Sequence, residues 1–82
     1  MAMSAATFFT HFKKLNAYMR EHRGISAELD KEFTDLTAAF RKAYSPDAFR
    51  QAIGEKSEID SDLEERVTSA MILFNKERAT KG

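Results

Sequence analysis

The chain has no cysteine and no tryptophan, and only one proline and three glycines among its 82 residues. Without cysteine there is no disulfide framework, thiolate zinc site or cysteine nucleophile. So few prolines and glycines leave little material for turns, which disfavours an all-β fold made of many short strands. Charge of one sign is also missing. Thirteen Lys and Arg balance thirteen Asp and Glu, for a formal net charge of zero. That excludes a polyanionic DNA mimic and argues against a generic basic nucleic-acid binder. Long apolar runs are absent as well. The longest run of large apolar residues is Met71-Ile72-Leu73-Phe74, against the ~20 residues a membrane-spanning helix needs. Near the start, Ser4, Thr7, Thr10 and His11 interrupt the apolar stretch, and Lys13 and Lys14 follow it. A secretory signal has its positive charge first. The sequence therefore reads as a cytoplasmic protein without a membrane segment.

What remains is patterned for helices. The chain is 43% apolar and 32% charged, and its apolar residues recur at three- and four-residue steps. The steps run through Ala5, Phe8, Phe12, Leu15 and Met19, then Leu29, Phe33, Leu36, Phe40 and Ala43, and finally Leu63, Val67, Ala70 and Phe74. Punctuation divides these stretches. Gly24 after His22-Arg23 suits a left-handed C-cap, and Ser26 suits the N-cap of the following helix. Ser45-Pro46 combines an N-cap with proline at the first helical position, and Tyr44 and Phe49 have the spacing of a hydrophobic staple. Gly54 closes the third helix. Ser61-Asp62-Leu63-Glu64 reads as a capping box for the fourth, with Ser57 as a competing start.

The prediction is four helices near residues 4–23, 26–44, 46–53 and 61–79 in a single domain over 1–82, with 1–3 and 80–82 frayed. The breaks at 24–25 and 45 are only a residue or two long, and such short connections make sequential helices antiparallel neighbours. The fold expected is an all-α, small four-helix bundle: a long antiparallel helical hairpin, one short helix and one long C-terminal helix.

Charges alternate in blocks along the chain. Residues 25–40 and 57–66 are acid-rich, whereas 1–24, 41–56 and 67–82 are base-rich. Helices two and four thus begin acidic and end basic, as the helix macrodipole prefers, so the blocks need no partner to explain them.

The chemistry-bearing residues are sparse. His11 and His22 share a helix face but lie ~16 Å apart along the axis, too far for one metal ion. Asp60-Ser61-Asp62-Leu63-Glu64 begins like a calcium loop, but Glu65 and Met71 stand where that loop needs glycine and glutamate. No phosphate loop, nucleophile–base pair or metal triad is present, so no enzyme and no cofactor are expected. A helix-turn-helix built on helix three would present Arg50 and Gln51. The basic stripe of helix one, with Lys13, Lys14, Arg20 and Arg23, offers a nucleic-acid or acidic-partner contact.

Apolar surface is what the sequence has in excess. Met71-Ile72-Leu73-Phe74 covers most of the circumference of helix four, where a surface helix normally shows a stripe of about 100°. Phe9, Tyr18, Ile25 and Ile59 lie off the main seams too. Either helix four is covered on all sides by its own chain, or the excess meets a partner. The second is favoured, since four short helices hardly surround one of their own number. The expected function is a non-catalytic regulatory or inhibitory module, homodimeric, binding a partner protein through Phe9, Tyr18, Met71, Ile72, Leu73 and Phe74. The alternative is a nucleic-acid-associated regulator using helix three or the basic face of helix one.

Overall fold

The computed structural model describes residues 3–21 and 26–81. The expectations resting on His22, Arg23, Gly24 and Ile25 lie outside these residues. Helix α1 spans Ala5–Glu21, α2 Ala27–Ala43, α3 Pro46–Gly54 and α4 Ser61–Lys81. Three long helices and one short one form a small all-α bundle, as expected. α4 packs against both α1 and α2, and α3 packs against α1.

The helix starts follow from side-chain caps that satisfy otherwise unpaired N–H groups. Ser26 Oγ accepts from the Leu29 N–H, and Ser45 Oγ accepts from the Ala48 N–H. Ser4, which the sequence reading left uncapped, caps α1 by accepting from the Thr7 N–H. For α4 the capping residue is Asp60 rather than Ser61. Asp60 Oδ1 accepts from the Asp62 N–H at 2.8 Å, and its carbonyl takes the Glu64 N–H. The carboxylate outcompetes a hydroxyl one position on because a charged acceptor makes the stronger bond.

The close of α3 also differs from expectation. Gly54 remains helical, and the left-handed residue is Lys56, with φ of 59°. The Ser57 N–H returns to the Ala52 carbonyl and the Lys56 N–H to the Ile53 carbonyl, the paired bonds of a Schellman turn. The segment after this turn pairs with the start of the chain. The Ala5 N–H donates to Ser57 O at 2.8 Å and the Ile59 N–H to Met3 O at 3.1 Å, around an isolated antiparallel bridge between Ser4 and Glu58. Met3 is therefore tied to the 57–59 segment, and α4 continues through Lys81.

The core has two parts. At the α3 end, aromatic rings form one connected group. Phe49 lies against Phe8, Phe9, Phe40 and Tyr44, with its ring centroid 4.7 Å from that of Phe40. Phe12 extends the group to Phe33. Edge-on and offset ring pairs of this kind add to simple area burial, and Phe49 docks the short α3 through them. The second part lies along α4, whose buried positions Leu63, Val67, Ala70, Phe74 and Glu77 repeat at steps of four and three. Tyr18, not Met19, continues the buried side of α1, and its ring meets Phe74 edge-on at 5.0 Å.

Candidate interaction surface

The four consecutive apolar residues of α4 take four different directions. Phe74 is in the core, 5% exposed. Met71 lies at the groove between α1 and α4, with Lys14, Tyr18 and Arg78. Leu73 lies at the groove between α2 and α4, with Glu28 and Lys31. Both are half-buried and packed against the core. Ile72 is the residue left over, at 63% exposed. α4 is flanked by α1 on one side and α2 on the other, so Met71, Leu73 and Phe74 pack on their own chain, while Ser69, Ile72, Asn75 and Lys76 mark a face of α4 that stays exposed.

Three further expectations need correction. Tyr18, Phe74 and Ile59, surplus by the sequence pattern, are all buried in this chain. Tyr18 and Phe74 face each other between α1 and α4, and Ile59 is pulled in by its backbone bond to Met3. Phe9 does reach the surface, at 38% exposed. One side of its ring rests 5.8 Å from that of Phe49, and Lys13 Nζ lies 5.3 Å from its centroid. Among the described residues the apolar excess thus narrows to Ile72 and Phe9, with Met71 and Leu73 partly accessible.

Around Ile72 the surface is concave. A groove of about 460 Å³ is lined by Glu28, Lys31, Glu32, Ser69, Ile72 and Leu73. It shares Glu32 and Ser69 with a second groove, of about 1010 Å³, along the first turns of α4. Asp62 and Arg66 join that to a third, of about 620 Å³, whose α2 wall is Asp35, Ala38, Ala39, Lys42 and Ala43. The three form one trough along the α2–α4 junction, and no residue of α1 lines it. The start of α2 lies beside the later turns of α4, and its end beside Asp60 and Asp62, so the two helices are antiparallel.

The trough is acidic. Glu28, Glu32 and Asp35, at i, i+4 and i+7, share one face of α2, and Asp62, Glu64 and Glu65 stand opposite on α4. Arg66 lies among them, with Nε 3.2 Å from Asp62 Oδ2. The hydrogen bond and charge of Asp62 hold the Arg66 guanidinium above its ordinary pKa, and the fields of Asp35 and Glu32 add to the effect. In sequence these acids are dipole complements to two separate helices. Only antiparallel packing brings them to one side, although the spacing within α2 was already visible.

The basic residues singled out as a nucleic-acid or acidic-partner contact lie elsewhere. Lys13, Lys14 and Arg20 are exposed on α1 and Arg50 on α3, while Arg23 falls outside the described residues. Lys14 shares the α1–α4 groove with Arg78. Gln51 Nε2 donates to Glu55 Oε1 at 3.2 Å, which turns its amide along α3. Asp47 and Glu55 stand at either end of that short helix, so it presents Arg50 between two acids.

One charged residue escaped the sequence reading. Glu77 continues the buried stripe of α4 at 7% exposure. Its Oε1 accepts the Ser26 N–H at 2.6 Å, and its carboxylate is hydrogen-bonded to the Tyr18 hydroxyl. Burial first, and then this carboxylate, raise the phenol above its ordinary pKa. Extending the Leu63–Phe74 pattern by one more step of three would have pointed to it.

Among the described residues, no group of three His, Asp or Glu is placed to hold a metal ion, and no helix is long and apolar enough to cross a membrane. No protein-family model matches the sequence, and neither a curated protein nor a solved structure matches it.

Proposed function

We propose that this protein is a non-catalytic interaction module that holds a partner protein on the outer α2–α4 face. The observation that carries this reading is Ile72. It is a large aliphatic side chain left 63% exposed, while its three neighbours in sequence, Met71, Leu73 and Phe74, are packed in their own chain. Single exposed apolar residues are common on protein surfaces. This one sits in a groove beside Leu73 and is rimmed by charged groups, the arrangement of an anchor position at a protein contact.

The test is retention of a partner from the native host on immobilised protein, compared with Ile72→Glu. The variant changes an exposed position and should melt like the parent. A partner kept by the parent and lost by the variant supports the reading. Equal retention by both, or by neither, overturns it.

A second reading has one observation in its favour. Lys13 stands over the half-exposed Phe9 ring, and an aromatic face beside a cation suits stacking of a single-stranded base. A mobility shift with mixed DNA and RNA at low salt, abolished by Phe9→Ala, would support it; no retardation would end it.

A further inference from the structure

We infer that the occupant of the α2–α4 trough is a basic amphipathic helix of another protein, about four turns long, which seats aliphatic side chains against Ile72 and Leu73 and sets Lys or Arg against the carboxylates of the two walls. This inference rests on the reading of that face as the docking surface.

Length, shape and charge lead to it separately. From Glu28 to Ala43 the trough follows fifteen helical steps, about 22 Å at 1.5 Å rise, the length of a helix of about fifteen residues. A furrow between two antiparallel helices is filled by the ridge of a third, with anchors recurring at three- and four-residue spacing. The aliphatic pair Ile72 and Leu73 marks one end. At the other, Ala38, Ala39 and Ala43 keep the α2 wall low, so larger side chains of an incoming helix can approach closely.

Charge selects among occupants. The trough holds seven carboxylates and three basic side chains, Lys31, Lys42 and Arg66; with Arg66 and Asp62 paired, six carboxylates still face two lysines. The whole chain is neutral, so this acidity is a local product of the packing. A nucleic acid or an anionic membrane would be repelled. A second copy docked by the same face would set Glu28 and Glu32 against acids of its twin, because a two-fold contact is self-complementary. A second copy docked through the basic α1 face would leave an open trough at the end of every assembly, a contact that does not close. A basic helix from a different chain satisfies both the apolar ends, Ile72 with Leu73 and Ala38 with Ala39 and Ala43, and the polar, acid-rich stretch between them.

The experiment uses the full chain, isotopically labelled, titrated with a fifteen-residue peptide that places Leu on one helical face and Lys on the other. A twin with Glu replacing every Lys is the control. The Lys peptide should shift the amide resonances of Glu28, Glu32, Ser69, Ile72 and Leu73, and weaken as salt rises from about 20 to about 200 mM. Glu28→Lys/Glu32→Lys should reduce its affinity about tenfold or more, and Ile72→Ser by several-fold, each with an unchanged circular dichroism spectrum.

Equal binding by the Glu twin, shifts confined to α1 and α3, or no shifts at millimolar peptide would overturn the inference. So would self-association that Ile72→Glu abolishes, since the occupant would then be a second copy. If a host partner is still lost on Ile72→Glu while the Lys peptide has no effect, the docking face stands and only its basic, helical occupant falls.

Discussion

Glu77 Oε1 lies 2.6 Å from the backbone nitrogen of Ser26, across 51 positions of sequence. Ser26 caps α2 with its hydroxyl, and in a capping box the residue three further on returns a carboxylate to the cap N–H. Here that residue is Leu29, buried in the core, and Glu77 of α4 makes the return bond in its place. The same carboxylate binds Tyr18 of α1. One side chain thus ties three helices together, in the positive end-field of α2.

Glu77→Ala should therefore cost about 1–3 kcal/mol, because it removes a charge-assisted bond and strands the partners it served. Glu77→Gln should cost less, since an amide oxygen still accepts from Ser26. Urea denaturation followed by circular dichroism gives both values. Equal losses, or none, would mean that the contact contributes nothing beyond packing.

The Tyr18 phenol should show its environment at alkaline pH. Its pKa is raised in the fold, by burial and then by Glu77, so the folded chain holds this proton more tightly than the unfolded one. The stabilising contribution is complete below the unfolded value of ~10 and is lost as pH rises through the higher folded value. In a Tyr44→Phe background, tyrosinate absorbance should titrate at higher pH in folded protein than in urea. A midpoint at or below the urea value would contradict the geometry.

The helix ends give a graded set. Asp60→Ala should destabilise by about 0.5–2 kcal/mol, while Ser61→Ala, at the first helical position, should change little. Gly54 is helical, and an added methyl meets nothing within 4 Å, so Gly54→Ala should stabilise by about 0.5–1 kcal/mol. Lys56 occupies the left-handed turn position, so Lys56→Gly should stabilise by up to ~1 kcal/mol despite introducing glycine. Thermal melts that reverse the Gly54 and Lys56 signs would show that the turn is placed wrongly.

Residues 72 and 74 should behave in opposite ways. Ile72→Glu should shift stability by no more than about 0.5 kcal/mol, as exposed substitutions do. Phe74→Ala removes a buried ring packed on Tyr18 and should cost about 3–5 kcal/mol. Leu73→Glu places a charge at a half-buried position and should fall between them. Unfolding of Ile72→Glu would show that α4 is covered on all sides.

The sequence alone determined the four helices, because three- and four-residue apolar steps, Ser26 and Ser45-Pro46 act over a turn or two of chain. Short connections led to the expectation of antiparallel consecutive neighbours, whereas the main packing partner of α2 is α4, two helices further on. Tertiary packing decided the rest. It placed Tyr18 inside rather than Met19, enclosed Ile59 through a bond to Met3, and turned the Glu77 carboxylate into a clasp between helices. It also reduced the apolar run of α4 to Ile72, and gathered acids from α2 and α4 into one trough. The division has a physical origin. Caps and periodicity are local and can be read in a window of residues, whereas burial and electrostatic field depend on which surfaces meet across dozens of positions.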